Sequence, residues 1–314
     1  MRAFLLVLLT AASPLFAQGD FAPSAPQNDP NQVKTLKPLP ANTILLPGAL
    51  PKSSDTKTAV PEEGNVHKNV YENRYFGIEY AFPDAFVKQF DGPPPSETGK
   101  YVLAELELKD RGSILITAQD ELFALTPGDA KYAREHLPSF YKLEDVPPEL
   151  KAGERTFVRY DYTSPVAGLH WSVLSTEVRC HEVQFVFTSR DTGLLEQLRG
   201  GLTQIKFAET DAPRCVPNYA RAENLIYKVD PVLTDTKYNP IPVRVIIGKN
   251  GKVEHVHVIS AFRSQAGIVI DALLQWRFKP YLVNGEPVEI ETGVLFGSEK
   301  SRKREPGAQS IATD

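Results

Sequence analysis

An α+β chain of two small domains is what this sequence predicts, and three observations carry the prediction. Apolar runs of period two follow one another across short turns, which makes antiparallel rather than doubly wound sheet. Two segments with helical signals interrupt those runs. Near the C-terminus an Asn-Gly hairpin, a helix and a last strand form a separate group.

The N-terminus comes first. MRAFLLVLLTAASPLFA, residues 1–17, reads as a secretory signal peptide, with Arg2 as its basic start, Phe4 opening the apolar core and a cut before Gln18. A retained anchor is the alternative. The apolar stretch contains Ser13 and Pro14 and falls short of the ~20 residues that cross a bilayer, which favours cleavage. The mature protein is thus expected to be periplasmic or secreted, with no stable membrane span. A formal net charge of -4 over 314 residues gives no reason to expect a nucleic-acid partner. Residues 18–65 carry Pro23, Pro26, Pro30, Pro38, Pro40, Pro47, Pro51 and Pro61, so this stretch is expected to be a disordered, extended linker. Its apolar patch TILLPGAL, residues 43–50, is the part able to dock on a folded neighbour.

The first domain is expected over residues 70–207. YENRYFGIEYAFP (71–83) places Phe76, Ile78 and Tyr80 on one face of a strand closed by proline. Residues 101–108 and 112–118 are strands around the turn Asp110-Arg111-Gly112. Thr126 and Pro127 begin a helix running to about Tyr141. Strands resume at 155–162, 169–178 and 181–189, and Asp191 or Thr192 caps a helix reaching Leu202. The opening YENRYFGIEYAFP and the closing FVFTSRD before a helix resemble the PsbP/Mog1-type α-β sandwich. That resemblance implies an accessory or scaffold domain and brings no site residues.

Residues 208–227 are a connecting segment, with 219–227 a short helix. The second domain is expected over 228–297, and a polar tail, including SRKRE, over 298–314. IPVRVIIGKNGKVEHVHVIS (241–260) is a hairpin turning at Asn250-Gly251. The helix after Phe262 has Ser264 as N-cap and Val269, Ala272, Leu273 and Trp276 on one face. Pro280 ends that element, and Asn284-Gly285 turns into PVEIETGVLF. IGKNGKVEHVHVIS, QWRFKP and NGEPVEIETGVLF together resemble the TonB C-terminal domain. The resemblance implies that fold and a habit of binding proteins. An energy-coupling role would also need a membrane helix, which a cut before Gln18 removes.

The search for chemistry yields little. Cys180 and Cys215 are a disulfide candidate after export, the other possibility being two buried thiols. His255 and His257 share a strand face, but two ligands make no metal site, and a solvated face is the expectation. His170-Trp171 and Asp161 lie near no nucleophile motif, and Gly200-Gly201 follows a helix instead of opening one, so no phosphate loop is expected. No catalytic, metal or cofactor residue is assigned. The expected function is that of an exported, non-enzymatic envelope protein recognising other envelope proteins, or a second copy of itself, by strand-edge pairing. Val288, Ile290, Thr292 and Val294 on the last strand are the candidate edge. A TonB-like component of outer-membrane transport with a retained anchor is the alternative.

Overall fold

The computed structural model describes residues 50–62, 64–83, 86–89, 99–122, 136–208, 212–233 and 241–296. All of them fall in one compact unit spanning residues 39–314. Residues 1–49, which hold the expected signal segment and most of the expected linker, and 297–314, which hold the expected polar tail, lie outside the described residues. Among the described residues strand predominates, beside two α-helices given below, which is compatible with an α+β chain.

In chain order β1 is Leu50–Ser53, β2 Asn65–His67, β3 Val70–Asn73, β4 Ile78–Ala81, β5 Val87–Lys88, β6 Lys100–Leu108 and β7 Gly112–Asp120. Then come β8 Lys142–Leu143, β9 Glu149–Ala152, β10 Arg155–Ser164, β11 Leu169–Val178, β12 His181–Ser189, helix α1 Thr192–Leu202, β13 Lys206–Phe207 and β14 Arg214–Cys215. The last part holds β15 Leu225–Tyr227, β16 Ile241–Ile247, β17 Val253–Ala261, helix α2 Arg263–Leu273, β18 Arg277–Phe278, β19 Tyr281–Val283, β20 Glu286–Val288 and β21 Ile290–Phe296.

The central lobe is an antiparallel sheet in the order β5-β6-β7-β12-β11-β10-β8, with β9 also on β10. Alternation along these strands sends Leu103, Ile114, Ile116, Phe185 and Phe187 to one face. The small sheet β13-β4-β3-β2 and α1 bury Tyr71, Tyr80, Leu194, Leu198 and Leu202 against them. Asp191 caps α1 by accepting from the N–H groups of Gly193 and Leu194. Gly201 is needed where α1 crosses β4, because an added Cβ would stand 2.6 Å from the Ala81 carbonyl oxygen. That contact accounts for Gly201, whereas a Cβ on Gly200 would meet nothing within 4 Å.

Two expectations change here. Residues 71–83 are not one strand: Val70–Asn73 and Ile78–Ala81 form a hairpin, because Gly77 takes positive φ and Asn73 Oδ1 accepts the Phe76 N–H. The helix expected from Thr126 falls mostly on residues 123–135, outside the described set. It does not reach Tyr141, whose N–H bonds to the Pro138 carbonyl in a turn.

The C-terminal lobe is the sheet β1-β17-β16-β21-β14. One face buries Val243, Val245, Val256 and Val258 against Val269, Leu273 and Trp276 of α2 and its exit. Trp276 is fully buried and donates its indole N–H to the Val229 carbonyl at 2.7 Å. Arg277 donates to the carbonyls of Leu274 and Trp276, closing the helix end. The helix begins two residues earlier than expected, with Phe262 as N-cap and no side-chain bond, so Ser264 lies inside it. The 219–227 segment is a 3₁₀ turn, Ala222–Asn224, leading into β15.

Candidate functional site: the edges of the C-terminal sheet and the junction behind it

Strand edges carry the expected binding chemistry, so their occupancy decides what the sheet can offer. The expected last strand is split. Asn284 and Gly285, both at positive φ, close the hairpin β19–β20, in which Val288 pairs with Tyr281 and not with the main sheet. Ile290, Thr292 and Val294 belong to β21 and are buried. β14 lies parallel to β21, with Arg214 opposite Ile290 and Cys215 opposite Glu291. Arg214 and Val216 donate their N–H groups to the carbonyls of Glu289 and Glu291, and Tyr219 N–H reaches Thr292 Oγ1 at 3.3 Å. The candidate edge is therefore occupied as far as Thr292. Glu291, whose alternation with Ile290 and Thr292 reads from sequence as a solvated face, is 2 % exposed.

Beyond Thr292 the outer side of β21 is open among the described residues, since β16 and β14 are its only neighbours and β14 stops opposite Glu291. Leu295 stands opposite Pro242, which has no N–H to offer, so the Leu295 backbone groups point outward. Gly293, two residues back along the strand, has the same orientation.

The opposite edge of the sheet is β17, and it is covered by β1. Leu50 pairs with Ala261, Lys52 with Val258 and Ser53 with His257, with a bulge at Pro51 where no ladder donor is required. This stretch was expected to be mobile linker. It is ordered here because an exposed β17 edge supplies the backbone partners that a proline-rich chain cannot supply for itself. His255 and His257 are also not a solvated pair: His255 Nδ1 meets Asp55 Oδ2 and His257 Nδ1 meets Ser53 Oγ, each at 2.9 Å. His257 is buried, and burial with the nearby Arg244 charge pulls it down to about 4.

Behind the sheet, its second face meets the central lobe through a buried polar group that the sequence did not reveal. Arg244 on β16 is 3 % exposed and reaches Glu291 Oε1 at 2.7 Å and Asp120 Oδ2 at 3.3 Å. It also donates to His181 Nε2 and to the Arg179 carbonyl. Arginine has no acceptor, so Nε2 is the bare nitrogen; Nδ1 carries the proton and gives it to the Arg179 carbonyl at 2.7 Å. Burial and, after it, the Arg244 charge keep His181 well below the ordinary histidine range, against the pull of its bond to the Arg179 carbonyl. Burial raises Asp120 to about 6, partly opposed by Arg244 and by the Leu122 N–H that its Oδ1 accepts. Burial opposes the Arg244 charge too, but Asp120, Tyr75 and Glu291 more than restore it.

The turn that presents these groups is unusual. Val178 pairs with His181 across Arg179 and Cys180, and both central residues take positive φ without being Gly or Asn. Such a conformation costs about 1 to 2 kcal/mol per residue. Contacts to other elements hold it. Arg179 stacks over the Tyr75 ring at 4.0 Å and donates to the Tyr75 carbonyl. Cys180 forms a disulfide with Cys215, joining the turn to β14 across 35 residues. Tyr75 Oη, Asp120 Oδ2, Arg179 Nε, Arg244 Nε and Glu291 Oε2 are all buried here without a hydrogen bond. Asp120 Oδ2 is close enough to Arg244 for charge attraction but not aligned for a bond.

The other chemistry-bearing residues are engaged locally. Asp161 takes Arg159 at 3.1 and 2.6 Å and the Ser172 hydroxyl at 2.8 Å, while His170 faces Glu144 at 3.2 Å. Ser172 thus gives its proton to a carboxylate and not to a histidine. Trp171 stacks on Tyr162, with ring centroids 5.0 Å apart. Among the described residues no group of three or more His, Cys, Asp or Glu is placed to hold a metal, and no helix is long and apolar enough to cross a membrane. Only the alternation around Arg244 could have signalled the junction, since a charge amid VRVII on a strand buried on both faces needs a partner. No protein-family model and no curated protein matches this chain.

Proposed function

We propose that this is an exported, non-enzymatic envelope protein whose C-terminal lobe, a TonB C-terminal-like domain, binds other proteins by accepting extended segments at its sheet edges. The central lobe then acts as a PsbP-like scaffold that holds the acceptor rigid. One observation carries the reading: the hairpin-helix-strand sheet already takes up two extended segments from elsewhere in the chain, β1 at one edge and β14 at the other. A sheet that recruits strands through backbone bonds has the chemistry of strand addition. The disulfide supports export, because such bonds persist in oxidising compartments. The outer side of Gly293 and Leu295 is the stretch left for a partner.

The test uses the mature protein as bait in envelope extract, beside a Leu295→Pro variant and a chain lacking residues 228–314. Leu295→Pro removes one outward N–H and no inward one. Loss of the same partner from both altered baits, with an unchanged melting curve for the point variant, is the expected result. A partner set indifferent to both changes would remove the binding role. Sequencing the mature N-terminus decides the competing transport reading: a start at Gln18 excludes a retained anchor, and a start at Met1 favours it.

A further inference from the structure

The hold of β17 on β1 is polar and readable residue by residue. β1 contributes little to the core: Leu50 is 55 % exposed, and Pro51 and Lys52 are exposed as well. Ser54 donates its N–H to the Val256 carbonyl at 2.8 Å, and its Oγ accepts the Val256 N–H at 3.1 Å. On either side of that pair, Ser53 Oγ meets His257 and Asp55 meets His255. Two hydroxyls and a carboxylate in succession therefore face an edge that presents histidine, backbone and histidine. After Asp55 the chain turns, with Asp55 Oδ1 accepting the N–H groups of Lys57 and Thr58, and it leaves for β2 on the central lobe.

We infer that residues 50–55 are an internal ligand, and that the β17 edge is a docking site for an extended segment of a partner protein bearing two successive hydroxyl residues followed by an acid. The inference rests on the strand-accepting role proposed above and adds a second edge and a ligand chemistry to it. His257 selects the first hydroxyl, the Val256 backbone takes the second, and His255 selects the acid. The internal strand is displaceable because a short bulged ladder and these contacts retain it, with its Leu50, Pro51 and Lys52 side chains exposed. Each contact is a single polar one that water can replace, and tethering supplies an effective concentration of order millimolar. An apolar occupant buried on both faces would not exchange; this one faces water.

The test titrates the mature chain with fluorescein-labelled GALPKSSDTKT, the peptide of residues 48–58. A Ser53→Ala/Asp55→Ala variant, altered only in the internal strand, is titrated alongside. Anisotropy is expected to show saturable binding to the variant at least ~10-fold tighter than to the wild-type chain, where the internal strand competes. A peptide with the same two substitutions should lose that gain, as should adding His255→Ala to the variant. In the wild-type chain, amide exchange at Val256 should be faster than at Val245, in the centre of the sheet. Absence of saturable binding to the variant overturns the inference, and so does equal binding of the substituted peptide. A concentration-dependent wild-type dimer that Ser53→Ala/Asp55→Ala abolishes would assign the edge to a second copy and overturn the partner. None of these results depends on Leu295, so this edge can fail while the other stands.

Discussion

The two edges of the C-terminal sheet are closed by the same backbone device and committed to very different degrees. At β21 the added strand β14 is tied by Cys180–Cys215, and the edge residue Glu291 is buried against Arg244. At β17 the added strand β1 is held by Ser53, Ser54 and Asp55, with its apolar side chains facing out. Both ladders are short, β1 antiparallel to β17 with a bulge and β14 parallel to β21. Permanence is decided by what stands behind the backbone: a covalent tie and a desolvated charge pair on one side, part-buried and exposed polar contacts on the other. The locked edge also joins the lobes, since Arg244 and Glu291 come from the C-terminal sheet and Asp120, Arg179 and His181 from the central one.

The largest effect that separates the edges should come from Arg244→Met. It strands Asp120 and Glu291 in a buried site, and removing one partner of such a group costs about 3 to 5 kcal/mol. Urea unfolding is the measurement, and a loss under about 1 kcal/mol would show that the junction does not fix the lobes. Next is Cys180→Ser with Cys215→Ser. Opening a loop of 35 residues should lower stability by roughly 3 to 4 kcal/mol and speed amide exchange at Val216 toward the rate at Ser54. If Val216 stays protected, the disulfide is not what distinguishes the edges.

A smaller, pH-dependent effect belongs to Asp120. Its folded pKa, about 6, lies above the ordinary 3.8, so the folded chain takes up this proton before the unfolded chain does. Stability should therefore rise as pH falls through the interval from about 6 to 3.8, by roughly 3 kcal/mol at most, relative to Asp120→Asn. The comparison with the variant matters because His257, held near 4, acts in the opposite sense below its ordinary 6.5. A wild-type minus variant difference that is flat over that interval would contradict the burial argument. The smallest change is expected from Asp55→Ala, at the exposed edge. It should cost no more than ~1 kcal/mol, and the cost should shrink with added salt. A larger, salt-insensitive loss would place β1 in the same class as β14.

Much of the architecture was legible in the residues. Strands 169–178 and 181–189, the Asp191 cap, the end of α1 and the core face of Val269, Ala272, Leu273 and Trp276 stand where periodicity and capping put them. Local signals reach these features because each depends on side chains a few positions apart. The site was much less legible. Glu291 alternates with apolar residues as a solvated glutamate does, and nothing within several positions of it names Arg244 as a partner. The edge read as free from Ile290 to Thr292 because the chain that covers that part, 214–219, lies some seventy residues upstream.

The sequence by itself determined the long strands and the two helices α1 and α2, where two turns need Asn-Gly, and that two cysteines had to be accommodated. Those are properties of local backbone preference and of the spacing of apolar side chains. Only the tertiary structure decided which edges are open, that Leu50–Ser53 is strand and not spacer, and that a buried arginine ties the two lobes. Edge pairing is made by backbone groups that every residue carries, so the sequence does not mark them. A buried charge is stable only through partners brought from distant elements, and their proximity exists only after the chain has folded.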